Sequence, residues 1–235
     1  LAGLLVVVAL ALALRFYGLN WDQGFDWTPH PDERAILSKV DALAPPGLGD
    51  LGVLLDADES PWNPRWFPYG SFPLYLLKGV QLTYGLLPGP EMTDLRIAGR
   101  TISALADIAT VVVVFGVGSA LYSRRVGLLA AALIALAVVH IQISHFYRPE
   151  PLLVFFLMVS FWFMLQVMER SRLRDSVFLG IFVGLTMATK VSVLPLIFPL
   201  VLAYAFRMNN LSGGGWNAPT NEAARRVIPH ALLGG

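Results

Sequence analysis

The feature that most constrains this chain is the separation of its charged residues from long apolar runs. Apolar segments span residues 1–14, 97–121, 126–144, 151–168, 177–189 and 191–206, and short charged clusters lie between them. A water-soluble domain has room to bury one such run in its core, but not this many. The pattern therefore predicts an all-α polytopic integral membrane protein.

Composition supports that class and excludes several functions. Hydrophobic residues make up 56% of the chain and charged residues 14%, with a mean hydropathy of +0.63, which is outside the range of ordinary soluble domains. The net charge is only +1 and the basic residues form no continuous stripe, so nucleic acid is excluded as a partner. The absence of cysteine removes disulfides, thiolate catalysis and cysteine metal sites.

We interpret the sequence as a single transmembrane domain over residues 1–235 that forms the N-terminal part of a longer polypeptide. Its predicted parts are the end of a first membrane helix at 1–14, an extracytoplasmic loop with interfacial helices at 15–96, transmembrane helices within 97–206, and a cytoplasmic loop at 207–226.

Two helices are predicted inside the long loop. Pro31, followed by two acids, marks the start of a short helix that continues to about residue 43. Residues 70–87 are apolar but include Pro73 and Lys78, which favours a helix lying on the membrane, with the lysine head reaching the surface.

The positions of the basic residues determine the predicted orientation. If residues 70–87 stay outside the membrane core, the basic clusters at 124–125 and 169–174 both face the cytoplasm. Asp32 and Glu150 then share the outer face, whereas a spanning 70–87 segment would separate them. We therefore expect a bacterial plasma-membrane protein whose active site faces away from the cytoplasm.

Two polar clusters stand out, at residues 28–34 and 145–150. The first places two adjacent acids, Asp32 and Glu33, beside His30. Acids in the first turn of a helix stabilise its dipole, and this alone explains the pair. A carboxylate at the membrane surface is also suited to act as a general base toward an acceptor hydroxyl or amine. His30 is best interpreted as a turn residue, with a proton partner and a metal ligand as the alternatives.

The second cluster and a distant lysine supply further candidates. Glu150 lies at the mouth of the 151–168 run beside Arg148, either as an ordinary surface ion pair or as a second active-site acid with a phosphate-binding arginine. Lys190 lies between two apolar runs, where a lysine must reach water or pair with an anion. Snorkelling explains it, and so does a lipid-linked phosphate at that depth.

Two charged residues fall within or near the predicted span at 97–121. Arg100 and Asp107 are seven positions apart and therefore lie on one helix face, so they are candidates to pair across two turns. No other partner for Asp107 is apparent from the sequence.

The order of these features resembles the polytopic glycosyltransferases of the GT-C fold, specifically the protein O-mannosyltransferase and aminoarabinose-transferase group. The similarity extends over most of residues 1–206 and rests on six stretches in the family's order: Arg15-Phe16-Tyr17-Gly18-Leu19, Asp32-Glu33, Phe72-Pro73-Leu74-Tyr75, Leu95-Arg96-Ile97-Ala98-Gly99-Arg100 with Ser123-Arg124-Arg125-Val126-Gly127, Tyr147-Arg148-Pro149-Glu150-Pro151, and Thr189-Lys190.

The resemblance implies a GT-C-like helix bundle that transfers a sugar from a polyprenyl-phosphate donor to a protein, lipid or glycan acceptor. Asp32 matches the family's base and Glu150 its second acid, which is usually aspartate. Lys190 and Arg34 match positions that hold the donor phosphate. With their neighbours, the predicted catalytic residues are Asp32, Glu33 and Glu150, and the predicted phosphate-binding residues are Lys190, Arg34 and Arg148.

Some relatives bind a divalent metal near these acids, but the sequence requires none. His30, Asp32 and Glu150 are the residues that could supply ligands.

Two other functions fit parts of the same pattern. One is a non-catalytic membrane subunit that keeps the fold and serves as an assembly partner. The other is a transporter with Asp107 and Lys190 along its pathway, although the inverted halves expected of a transporter are not visible.

Overall fold

The computed structural model describes residues 1–44, 47, 52–53, 56, 58–85, 95–170 and 172–211, and for 170, 210 and 211 it describes the backbone alone. Helices are the regular structure of these residues. In chain order they are α1 (Ala2–Phe16), α2 (Pro31–Ala42), α3 (Phe72–Gly85), α4 (Leu95–Leu121), α5 (Arg124–Leu136), α6 (Val138–Ser144), α7 (Pro149–Arg170), α8 (Leu173–Thr189), a 3₁₀ segment (Val191–Leu196) and α9 (Ile197–Leu211).

The apolar runs fold into membrane-length helices, which confirms an all-α polytopic membrane protein. Within the described residues, three helices are long and apolar enough to cross a bilayer, at Leu95–Leu121, Pro149–Glu169 and Val191–Asn209. The pair α5 and α6 makes a fourth span if it is counted as one helix bent by 56°. The predicted 191–206 run reaches membrane length because its helix continues beyond residue 206.

The predicted helices of the long loop are both present. α2 begins at Pro31 and ends one residue short of the predicted boundary, and α3 occupies most of residues 70–87. The end of the 70–87 segment and the predicted 207–226 loop lie partly or largely outside the described residues. Lys78 differs from the prediction, because it is buried on the inner face of α3 at 6% exposure and does not extend to the surface.

α2 and α3 are held against the membrane helices by a shared apolar core. Its buried members come from α2, α3, α4, α7 and the loop before α7, and they include Val40, Leu77, Tyr147 and Phe156. The Tyr147 hydroxyl donates to the carbonyl of Pro73 at 2.5 Å. This core fixes the N-terminus of α2 over one end of the bundle.

The bend between α5 and α6 is stabilised by a buried arginine from α1. Ala137 takes an extended conformation at the bend and donates its N–H to the Ile134 carbonyl, so the regular helical pairing of the carbonyl groups at the end of α5 is interrupted. The Arg15 guanidinium donates to two of them, at 3.0 Å to Ala135 and 3.2 Å to Ile134. Asp107 pairs with the same guanidinium at 2.5 Å and balances its charge.

The predicted pairing of Arg100 with Asp107 is wrong. Asp107 pairs with Arg15 and with His140, whose Nδ1 lies 2.5 Å from its second oxygen. Arg100 instead turns toward the N-terminal loop, where it meets two acids. Partners elsewhere in the fold outcompete the intrahelical pair, because each buried charge needs an opposite charge at contact distance.

Candidate active site

Three chain segments meet at one end of the bundle and form a polar surface. α2 begins there at Pro31, α7 begins there at Pro149, and α8 ends there at Thr189. Proline suits the first helical position because its missing N–H has no helical partner in that turn anyway. The two polar clusters of the sequence therefore lie side by side, with Lys190 next to them.

Four side chains on this surface form a continuous series of ion pairs, which we call the surface cluster: Asp32, Arg148, Glu150 and Lys190. Arg148 Nη2 is 3.4 Å from Asp32 Oδ2, and Arg148 Nε is 3.1 Å from Glu150 Oε2. Lys190 Nζ is 3.1 Å from Glu150 Oε1. The four side chains are 22–33% exposed, so they are accessible to a ligand yet partly shielded from water.

The surface cluster retains unused hydrogen-bonding capacity. Arg148 Nε and Glu150 Oε2 are close enough to attract each other, but neither atom has a hydrogen bond with good geometry, although both are buried. Glu150 also lies in the first turn of α7, where the helix dipole favours a negative charge. The cluster is therefore a place where an incoming anion could replace a carboxylate as the partner of the cations.

Glu33 has a different environment from its neighbour Asp32. It is completely buried, and Arg100 binds both of its oxygens, at 2.9 Å and 2.7 Å. The backbone N–H of Tyr147 donates to the same carboxylate at 2.8 Å. Asp22 occupies the other side of the guanidinium, at 2.6 Å and 2.8 Å.

We call Asp22, Glu33 and Arg100 the buried cluster. The hydrogen bonds and charge of Arg100 outweigh burial and hold the pKa of Asp22 below its usual value. The cluster links the first loop to α4, and it fixes the loop that carries Arg148 by way of Tyr147.

His30 is the N-cap of α2 and contacts the surface cluster. Its Nδ1 accepts from the backbone N–H of Asp32 at 3.2 Å, and its Nε2 lies 3.5 Å from Arg148 Nη1. Burial, followed by the charge of Arg148, lowers the pKa of His30, so the neutral ring is favoured at neutral pH. This geometry supports the interpretation of His30 as a turn residue.

Arg34 lies apart from the surface cluster. It is exposed, and its guanidinium carbon stacks over the Trp27 ring, 5.3 Å from the ring centroid. The structure therefore does not bring Arg34 to the cations Arg148 and Lys190.

Tyr69 is a member of this surface that the sequence did not distinguish. Lys190 Nζ lies 5.4 Å from the centroid of its ring. Burial, followed by the charge of Asp32 and a hydrogen bond with it, raises the pKa of the Tyr69 phenol. No sequence signal separates Tyr69 from Tyr75 or Tyr84, because its role depends on where the loop meets α8.

The two carboxylates of the surface cluster face the guanidinium of an arginine and do not surround an empty position that a metal ion could occupy. Within the described parts of the chain, no group of three or more His, Cys, Asp or Glu side chains is placed to hold a metal ion. The guanidinium of Arg148 lies between Asp32 and Glu150, so these residues as arranged do not form a metal site.

Comparison with known proteins identifies the family. No curated protein matches the chain. Residues 92–212 match the family described as dolichyl-phosphate-mannose-protein mannosyltransferase. This segment is more than half of the chain and contains Arg148, Glu150 and Lys190, whereas Asp32 and Tyr69 reach the site from outside it. The chain therefore belongs to the dolichyl-phosphate-mannose-protein mannosyltransferase family, a family of membrane glycosyltransferases.

Proposed function

We propose that this protein transfers a sugar from a polyprenyl-phosphate donor to an acceptor at the extracytoplasmic face of the membrane, with Asp32 as the general base. The observation that carries the proposal is the surface cluster itself. A partly exposed carboxylate and two cations from distant parts of the chain converge at one end of an apolar bundle. The family match supports the same reaction class.

The proposed reaction uses both signs of charge in the surface cluster. The oxygen of the acceptor hydroxyl bonds to the anomeric carbon of the sugar, and Asp32 accepts the proton that this hydroxyl loses. The bond between that carbon and the donor phosphate oxygen breaks, and its electron pair stays with the phosphate. Lys190 and Arg148 stabilise the negative charge that develops there. Polyprenyl phosphate and the glycosylated acceptor are the products.

Asp32 is better placed for this role than Glu33. Asp32 is 33% exposed and has a single ion pair to Arg148 at 3.4 Å among the described contacts. Glu33 is fully buried and held at both oxygens by Arg100. We assign Glu33 a positioning role, because it anchors α2 so that the preceding residue faces the site.

Glu150 has two proposed roles at the same position. It holds Lys190 and Arg148 in place before the donor arrives, because it contacts both. A donor phosphate would then compete with Glu150 for these cations and release its carboxylate as the second acid of the site. Arg34 is the least supported of the phosphate-binding candidates, because its guanidinium rests on Trp27.

The basic residues support the proposed orientation. Arg124 and Arg125 open α5, and Arg172 and Arg174 flank the start of α8. These helix starts lie at the opposite end of the bundle from the surface cluster. α8 runs from Leu173 to Thr189, directly before Lys190, and α4 runs from Leu95 near the buried cluster to Leu121, directly before α5. The positive-inside rule then puts the basic end in the cytoplasm and the surface cluster outside.

The test is transfer by the Asp32→Asn variant in membranes that contain the protein, with radiolabelled polyprenyl-phosphate mannose as donor and a cell-envelope fraction as acceptor. We expect kcat to fall by about 10²-fold to 10⁴-fold, the usual contribution of a general base. Asp41→Asn is the matched control, because Asp41 is an exposed acid of the same helix whose described partner is Gln81.

Undiminished transfer by Asp32→Asn would exclude Asp32 as the base. Absence of any transfer in the unaltered protein would instead favour a non-catalytic membrane subunit that keeps the fold.

A further inference from the structure

We infer that Tyr69 is a positioning residue of this site, holding the Asp32 carboxylate with its hydroxyl and the Lys190 ammonium with its ring. The inference rests on the proposed function and deepens it. It connects the proposed base and a proposed phosphate cation, which come from opposite ends of the chain, through one side chain of the first loop.

The backbone next to Tyr69 is fastened to the end of α8. The Gly70 N–H donates to the carbonyl of Thr189 at 3.0 Å, directly before Lys190. A Cβ at position 70 would lie 1.8 Å from the Ala188 carbonyl oxygen, so only glycine permits this approach. The contact sets Tyr69 beside Lys190 without any contribution from either side chain.

The ring and the hydroxyl of Tyr69 face different partners. Lys190 Nζ lies 5.4 Å from the ring centroid, within the range of a cation–π interaction. Lys190 is linked to Asp32 through Glu150 and Arg148, so the ring contact places Tyr69 at the surface cluster. The Asp32 carboxylate also contributes to the raised pKa of the Tyr69 phenol, and a hydrogen bond donated by the hydroxyl would stabilise that charged carboxylate. Trp66 packs edge-on against the same ring at 5.8 Å and limits its rotation.

This arrangement gives the phenol a donor role and excludes a basic one. Burial and the nearby carboxylates of Asp32 and Glu150 all disfavour the phenolate. Tyr69 therefore keeps its proton throughout the neutral range, and it orients the base without competing for the acceptor proton.

The first experiment separates the two contacts by kinetics. Tyr69→Phe keeps the ring and loses the hydroxyl, so we expect kcat to fall about tenfold, as for a lost hydrogen bond to a charged group, with KM for polyprenyl-phosphate mannose within about twofold. Tyr69→Leu also loses the ring. We expect its KM for polyprenyl-phosphate mannose to be about threefold to fivefold higher than that of Tyr69→Phe.

Tyr75→Phe is the matched control, because it removes a hydroxyl of the same region that donates to the Trp62 carbonyl at 2.8 Å, away from Asp32. A purely structural role for Tyr69 would make Tyr69→Phe and Tyr75→Phe alike, with equal changes or none in kcat. That result overturns the inference and leaves the proposed function intact, provided that Asp32→Asn is inactive.

A second measurement does not depend on turnover. With 3-fluorotyrosine at position 69, the ¹⁹F resonance should shift in Asp32→Asn and in Lys190→Met, because both remove a charge beside the ring. It should not shift in Asp41→Asn. If the ¹⁹F resonance shifts in neither Asp32→Asn nor Lys190→Met, the inference is overturned, even if sugar transfer depends on Asp32.

Discussion

The two acid–arginine clusters of this protein differ in what their charges are available to do. In the buried cluster, Arg100 is held by Asp22 and Glu33 through four short contacts of 2.6–2.9 Å, and all three side chains are sealed from water. In the surface cluster, the contacts of Arg148 are 3.1–3.4 Å long and its side chain is 25% exposed. The first arrangement is suited to holding segments together, and the second to exchanging partners.

The contrast is sharpest between Asp32 and Glu33, which are adjacent in the chain. Successive residues of a helix point about 100° apart, so one carboxylate turns into the bundle and the other toward solvent. Burial requires that Glu33 be fully paired, whereas Asp32 can remain partly free because water screens it. Two neighbouring residues of the same charge therefore have different roles: Glu33 anchors α2, and Asp32 is the proposed base.

The largest effect should come from breaking the buried cluster with Arg100→Met. The substitution leaves Asp22 and Glu33 buried without a counter-charge, which costs about 3–5 kcal/mol. We expect little folded protein in the membrane fraction, measured by fluorescence-detected size-exclusion chromatography. Normal folded yield for Arg100→Met would show that the two clusters do not differ in this way.

The next largest effect should come from Lys190→Met in the surface cluster. Glu150 keeps Arg148 as a partner, so we expect normal folding but a KM for polyprenyl-phosphate mannose raised about tenfold to a hundredfold. Lys190→Arg should recover part of the affinity. A loss of folded protein comparable to that of Arg100→Met would instead place Lys190 among the structural charges.

A smaller effect concerns pH and the cap that joins α2 to the surface cluster. The folded state lowers the pKa of His30 below its ordinary value, chiefly by burial. Between that lowered pKa and about 6.5, the unfolded state binds more protons, so stability should fall as pH drops below about 6.5. His30→Asn keeps an N-cap that does not titrate.

We therefore expect the loss of thermal stability between pH 7.5 and pH 5 to be smaller in His30→Asn than in the unaltered protein. Thermal unfolding in detergent, followed by intrinsic fluorescence, measures the difference. An equal loss in both proteins would assign the pH dependence to other groups.

The smallest effect should come from Arg34→Ala. Arg34 is exposed and contacts Trp27, so its removal should change KM for the donor by less than about fivefold, the scale of an exposed cation–π contact. A change as large as that of Lys190→Met would show that Arg34 binds the donor phosphate, as its sequence position predicts.

Several features of the fold were predictable because they depend on local chemistry. Long apolar runs must become helices in a bilayer, since backbone polar groups there need internal partners. Pro31 followed by two acids correctly marked the start of α2. The side chains that pair across the bundle were less accessible to prediction, and the pairing of Arg100 with Asp107 failed because helix spacing carries no information about partners on other helices.

The sequence by itself determined the membrane helices, the two polar clusters and the isolated lysine, because hydropathy and turn chemistry act over a few residues. Only the tertiary structure decided that Glu33 is buried against Arg100, that Arg34 stacks on Trp27 and that Tyr69 lies beside Lys190. The physical reason is that these assignments depend on burial and on contacts between residues far apart along the chain, such as Tyr69 and Lys190, which are separated by 121 positions. Packing of the whole bundle brings such residues together.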